Sequence, residues 1–72
     1  MKESDLQKKI LDALKVKGVY VFKVITANRA GIPDLIACYK GKFIGIEVKG
    51  PKGKTSPLQD KNIQMITDAG GN

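Results

Sequence analysis

The chain has 72 residues, and its 13 Lys and Arg outnumber 7 Asp and Glu to give a formal net charge of +6. That length fits one small domain over residues 1–72 and excludes a two-halved dinucleotide enzyme, a barrel enzyme or a multidomain machine. The charge surplus points to an anionic partner, nucleic acid first and an acidic membrane surface second, while the lack of His and the single Cys38 exclude an internal disulfide, a His/Cys zinc site and His-activated nucleophiles.

Residues 4–17 are expected to form a helix, with Leu6, Ile10, Ala13 and Leu14 on one stripe and Leu11 beside it. Ser4 and Gln7 fit a capping box, and a start one turn earlier would take in Glu3. Gly18 is a stop signal. Residues 19–25 are β-branched and aromatic, as in a strand, and residues 26–33 form a loop. Residues 34–39 and 43–49 read as two further strands, and so short a connection makes them an antiparallel hairpin. Both are apolar at nearly every position, so both sheet faces are expected to be covered, with Tyr20, Phe22, Tyr39 and Phe43 in core or interface and Cys38 buried. After a basic loop over residues 50–55, Ser56, Pro57 and Gln59 open a second helix through a capping box. Its apolar stripe is Leu58, Met65, Ile66 and Ala69, flanked by Ile63, and Gly70 ends it. The expected fold class is therefore α/β, ordered α-β-β-β-α, with a mixed sheet flanked by helices. No apolar run approaches the roughly 20 residues of a membrane span. The charged N-terminus lacks a signal-peptide hydrophobic stretch, so a reducing cytoplasm is the expected setting.

The hairpin carries polar residues where a core hairpin should have none. With Lys40 and Gly41 as the central turn residues, Tyr39 faces Lys42 and, counting back in step, Asp34 faces Glu47. Alternation sends Glu47 and Lys49 to one face and Val48 to the other. Singly, Asp34 could shape a turn after Pro33, and Glu47 with Lys49 could be a surface pair of small value. Together they converge at one end of an apolar hairpin, where two neighbouring carboxylates repel unless a cation sits between them. Mg²⁺ takes oxygen ligands of this kind and can activate a water, while Lys49 can orient that water or stabilise charge at phosphorus. These are the parts needed to hydrolyse a phosphodiester.

Residues 50–55 imitate a phosphate-binding P-loop, but Val48 stands where that pattern needs Gly, and Pro51 removes a backbone donor, so no nucleotide cofactor is expected. Lys52 and Lys54 are instead candidates for nucleic-acid phosphate contacts, against a simple solvated loop. Arg29, the single arginine, suits a bidentate phosphate contact, against a loop salt bridge.

Gly31-Ile-Pro-Asp34, then twelve residues, then Glu47-Val-Lys49 resembles the P-D…E-x-K pattern of restriction-endonuclease-like nucleases. The chain is similar above all to the VRR-NUC (virus-type replication-repair nuclease) family. That family has an early helical Glu, a G-x-P-D loop, an E-x-K strand and a Gln after a short basic loop, here Glu3, Gly31 to Asp34, Glu47 to Lys49, and Gln59. The resemblance implies a Mg²⁺- or Mn²⁺-dependent endodeoxyribonuclease. Asp34, Glu47 and the Val48 carbonyl would bind metal, and Lys49 would be catalytic. Glu3 and Gln59, which read locally as a first-turn acid and a cap, would be active-site contacts. Standalone members resemble Holliday-junction resolvases, which implies a homodimer on four-way DNA junctions in a bacterial or phage-infected cell. A small sheet with an open edge and a marginal core suits the same pairing. Family members usually continue past Ala69-Gly-Gly71 with a strand and often a helix, so a further strand is expected from additional sequence or from a partner. The alternative is a non-catalytic basic nucleic-acid-binding module or a nuclease relic.

Overall fold

A computed structural model describes residues 2–72. Its elements are α1 (Glu3–Val16), β1 (Tyr20–Lys23), β2 (Leu35–Tyr39), β3 (Lys42–Ile46) and α2 (Pro57–Asp68), in the expected α-β-β-β-α order. No described helix is long and apolar enough to cross a membrane.

The three strands lie in the order β1-β2-β3 and pair antiparallel throughout. The expected mixed sheet is therefore corrected among the described strands: neither connection holds the crossover that parallel neighbours require. A parallel element survives only as one rung on the outer edge of β3. There Asn72 N–H donates to the Phe43 carbonyl (2.9 Å), and Gly45 N–H donates to the Asn72 carbonyl (2.7 Å). The hairpin turn has two central residues, Lys40 (φ 51°) and Gly41 (φ 81°), both left-handed as a type I′ turn requires. Tyr39 consequently faces Lys42 and Leu35 faces Ile46, which is the register read from the turn residues.

One face of the sheet carries the core. Val21, Leu35, Ala37 and Val48 are buried, with Leu6, Ile10, Leu11, Leu14, Val19, Ile44 and Ile46 packed on them. These belong mainly to α1 and alternate strand positions, as the two periodicities demand. Ala13 is exposed and drops out of the stripe expected for α1. That helix starts at Glu3 behind Lys2, with no side-chain cap, so the Ser4–Gln7 capping box does not form. It ends in a Schellman motif: Gly18 N–H donates to the Lys15 carbonyl and Val19 N–H to the Leu14 carbonyl.

The second face is only half covered. α2 packs along β3, where the bare Gly45 leaves room for Pro33 and Ile66; a Cβ there would lie 2.8 Å and 2.9 Å from their side chains. Over this face of β1 and the far side of β2 no described helix or strand packs. Tyr20 is 71% exposed, its edge-to-face partner Phe22 is 45% exposed, and Cys38 is exposed rather than buried as expected. Phe43, on the same face, is exposed as well. α2 is also rotated from its anticipated stripe. Gln59, Asn62, Ile63 and Ile66 turn inward, while Leu58, Met65 and Ala69 are exposed.

Candidate active site

Asp34 and Glu47 flank the open end of the paired region of the hairpin, one residue outside Leu35 and Ile46. The register therefore sets them opposite one another. Asp34 is fixed by backbone: its Oδ2 accepts from Val48 N–H at 3.0 Å, closing the gap where the β2–β3 ladder ends. The Glu47 side chain is 5% exposed. Its Oε1 accepts from Gln59 Nε2 at 3.1 Å and lies 3.7 Å from Lys49 Nζ. Its Oε2 is buried and has no hydrogen-bond partner among the described residues.

The electrostatics follow from that placement. Burial pushes the Glu47 carboxyl up to about 7; the adjoining Asp34 carboxylate adds to the rise, since only a protonated Glu47 could donate to it and its charge repels the ionised form, and Lys49 opposes the rise. Glu47 thus resists ionisation when no cation lies beside it.

Gln59 shows how the cap and the site use one side chain. Its N–H donates to Ser56 Oγ and its Oε1 accepts from Ser56 N–H, completing the capping box that starts α2 with Pro57 in its first turn. The amide nitrogen left over is the group that reaches Glu47. The two readings of Gln59, cap and site contact, describe one geometry.

Glu3 is brought to the rim rather than into direct contact with the carboxylates. Its Oε1 accepts from Gly50 N–H at 3.2 Å. A Cβ on Gly53 would lie 3.2 Å from Lys49 Cβ and 3.3 Å from Glu3 Oε1, so the basic loop passes between those two side chains. Lys52 and Lys54 are exposed on that loop. Arg29 is exposed too, but it lines a cleft with Ile36, Phe43, Asn62 and Met65, apart from the carboxylates. Asn62 is the functional candidate that the sequence reading passed over: a buried polar side chain whose Nδ2 donates to the carbonyls of Ala30 (3.1 Å) and Leu58 (2.9 Å). Its signal was a lone polar residue in an otherwise apolar helix stripe, four residues after Leu58 and four before Ile66.

No group of three or more Asp, Glu, Cys or His side chains gathers among the described residues. The oxygen donors at the site are the two carboxylates and the nearby backbone, with Glu47 Oε2 lacking a partner.

The VRR-NUC domain profile matches residues 2–72, which is nearly the whole chain. The chain belongs to the VRR-NUC nuclease family. It is also 32% identical over 60 residues to a protein named "Putative nuclease p44" from Acyrthosiphon pisum secondary endosymbiont phage 1. That match covers 82% of this chain and 64% of the phage protein, so the chain spans less than two thirds of that relative's length. No solved structure matches.

Proposed function

We propose that this VRR-NUC domain is a metal-dependent DNA endonuclease, with its reaction centre at Asp34, Glu47 and Lys49. The observation that carries this reading is Glu47 Oε2: a buried carboxylate oxygen without a donor, beside a second carboxylate. Lys49 meets only the other oxygen, so Oε2 is left for a cation, and an all-oxygen donor set suits Mg²⁺ or Mn²⁺. Asp34, Glu47 and the Val48 carbonyl would hold the ion. When bound, it supplies a water of lowered pKa and neutralises charge developing on the phosphate.

The chain's own groups do the rest. The Val48 amide holds Asp34 in place, and the Gln59 amide orients Glu47. Lys49 presents its ammonium beside Glu47, where it orients the attacking water or stabilises the negative transition state. Glu3, through Gly50, steadies the loop that follows Lys49. Lys52, Lys54 and Arg29 contact DNA phosphates. A two-fold dimer would present two such centres to a four-way junction, each cutting one strand.

The test is incubation with four-way junctions, linear duplexes and single strands in Mg²⁺, in Mn²⁺ and in EDTA. Cleavage confined to the metal arms, strongest on the junction, is the expected outcome. Binding with no cleavage in any arm would replace this reading with that of a basic binding module. Light scattering on the junction complex should give a protein mass of twice 7.8 kDa; a single copy would sink the dimer.

Lys52→Ala and Lys54→Ala are each expected to weaken binding about equally across DNA sequences. Each should also reduce the slope of log affinity against log salt by about 1. A slope unchanged from that of the wild type would return these lysines to a solvated loop.

A further inference from the structure

We propose that Asn62 is a positioning residue for Asp34, holding the loop that delivers this carboxylate to the site. Its Nδ2 is bonded to two carbonyls, one on its own helix (Leu58) and one across the fold on Ala30. Ala30 precedes the run Gly31-Ile-Pro-Asp34, and the start of this run is pressed against α2. Gly31 has φ +77°, and a Cβ there would fall 2.6 Å from Leu58 Cγ and 3.0 Å from Asn62 Nδ2. Pro33, buried, packs on Gly45 of β3. The Ala30 carbonyl accepts from Asn62 Nδ2, which ties the start of this run to α2.

The helix position gives this its meaning. Gln59 and Asn62 are three apart and share the inward side of α2. Gln59 bonds Glu47 directly, whereas Asn62 bonds the loop leading to Asp34. One helical turn thus grips both halves of the carboxylate pair, and their spacing is set by α2 as well as by the hairpin. An apolar residue at 62 would bury as well but leave Ala30 without its donor.

Asn62→Ser separates the two bonds. A serine hydroxyl can donate to the carbonyl four residues back, so the Leu58 bond is kept while the bond to Ala30 is lost. Asn62→Leu removes both while keeping volume. The readout is amide hydrogen exchange by NMR, because Val48 N–H is bonded to Asp34 Oδ2 and reports where that carboxylate sits. In both variants Val48 should exchange about tenfold faster or more, while amides of β2 keep wild-type rates. Val48 protection that is unchanged, or that falls in parallel with β2, would overturn the proposal. If one variant fails to fold the other decides, and unfolding of both would make Asn62 a pillar of the fold and overturn it too.

The catalytic consequence rests on the nuclease reading, whereas the exchange result does not, so the two can fail separately. Given cleavage by the wild type, turnover at saturating DNA should fall about 10–100-fold in either variant, with KM within about threefold. Loss carried by KM alone would show that Asn62 serves DNA binding rather than Asp34.

Discussion

Glu47→Gln will unfold at a higher temperature than the wild-type chain at pH 8 and will not cut DNA. The carboxyl titrates near 7 in the fold and at 4.5 when unperturbed. Between those values the folded chain holds more of this proton than the unfolded chain, so stability falls as pH rises through that window. Above pH 7 the full cost applies, on the order of 3 kcal/mol for a shift of this size. Gln at this position is uncharged, its carbonyl oxygen still accepts from Gln59, and its amide donates towards Asp34 as the protonated acid would. Thermal unfolding in EDTA should show the variant higher by on the order of 10 °C at pH 8, with the gap closing at pH 4.5 and below. Mn²⁺ should raise the wild-type midpoint and leave the variant's nearly unmoved. Cleavage should drop by about 10³-fold or more, since several kcal/mol of charge stabilisation goes with the carboxylate. A variant less stable than wild type at pH 8 would refute the burial argument; wild-type cleavage by it would refute the site.

Leu35→Ala carries the largest expected loss of stability. Leu35 is the one large side chain fully out of solvent among the described residues, and it precedes no spare layer of core. Truncating such a residue costs about 2–5 kcal/mol. A domain of this length has on the order of 4–10 kcal/mol in total. The urea midpoint should fall by about a fifth at the least and by about half in mid-range, leaving the variant closer to unfolding at 37 °C. Ile25→Ala, at a position 84% exposed, is the control and should shift it little. An unchanged midpoint for Leu35→Ala would mean that the core does not centre on β2.

What could be read in the sequence was what local chemistry decides. Lys40-Gly41 demanded a left-handed two-residue turn, that turn fixed the register, and the register put Asp34 opposite Glu47. Ser56-Pro57-x-Gln59 likewise specified its own helix start. The failures arose where packing at a distance decides. The earlier helix start that takes in Glu3 was legible beside the Ser4–Gln7 capping box, but nothing local reveals that the Glu3 carboxylate is drawn to a loop amide far along the chain. Cys38 and Tyr20 sit on strands apolar enough to be covered twice, and their exposure depends on how far α2 reaches across the sheet. The rotation of α2, which turns Asn62 inward and Leu58 outward, is set by Pro33 and Gly45 rather than by the helix's own periodicity. The pairing of Gln59 with Glu47 needed both hairpin and helix in place before it could be seen.

The turn at Lys40-Gly41 has a consequence for how this domain can vary in length. Exposed loop tips ordinarily absorb insertions with little harm. This one cannot, although it lies at the far end of the hairpin from the carboxylates. One residue added there would slide β3 past β2 by a single step and turn each of its side chains to the opposite face. Ile46 would then occupy the place of Glu47, and the buried core place of Val48 would receive the Glu47 carboxylate. The basic stretch between Lys49 and Ser56 has no such ratchet, since no ladder runs through it. Evolutionary drift in length should therefore accumulate beside the chemistry and be purged at the distant tip, the reverse of what proximity to the reaction centre would suggest.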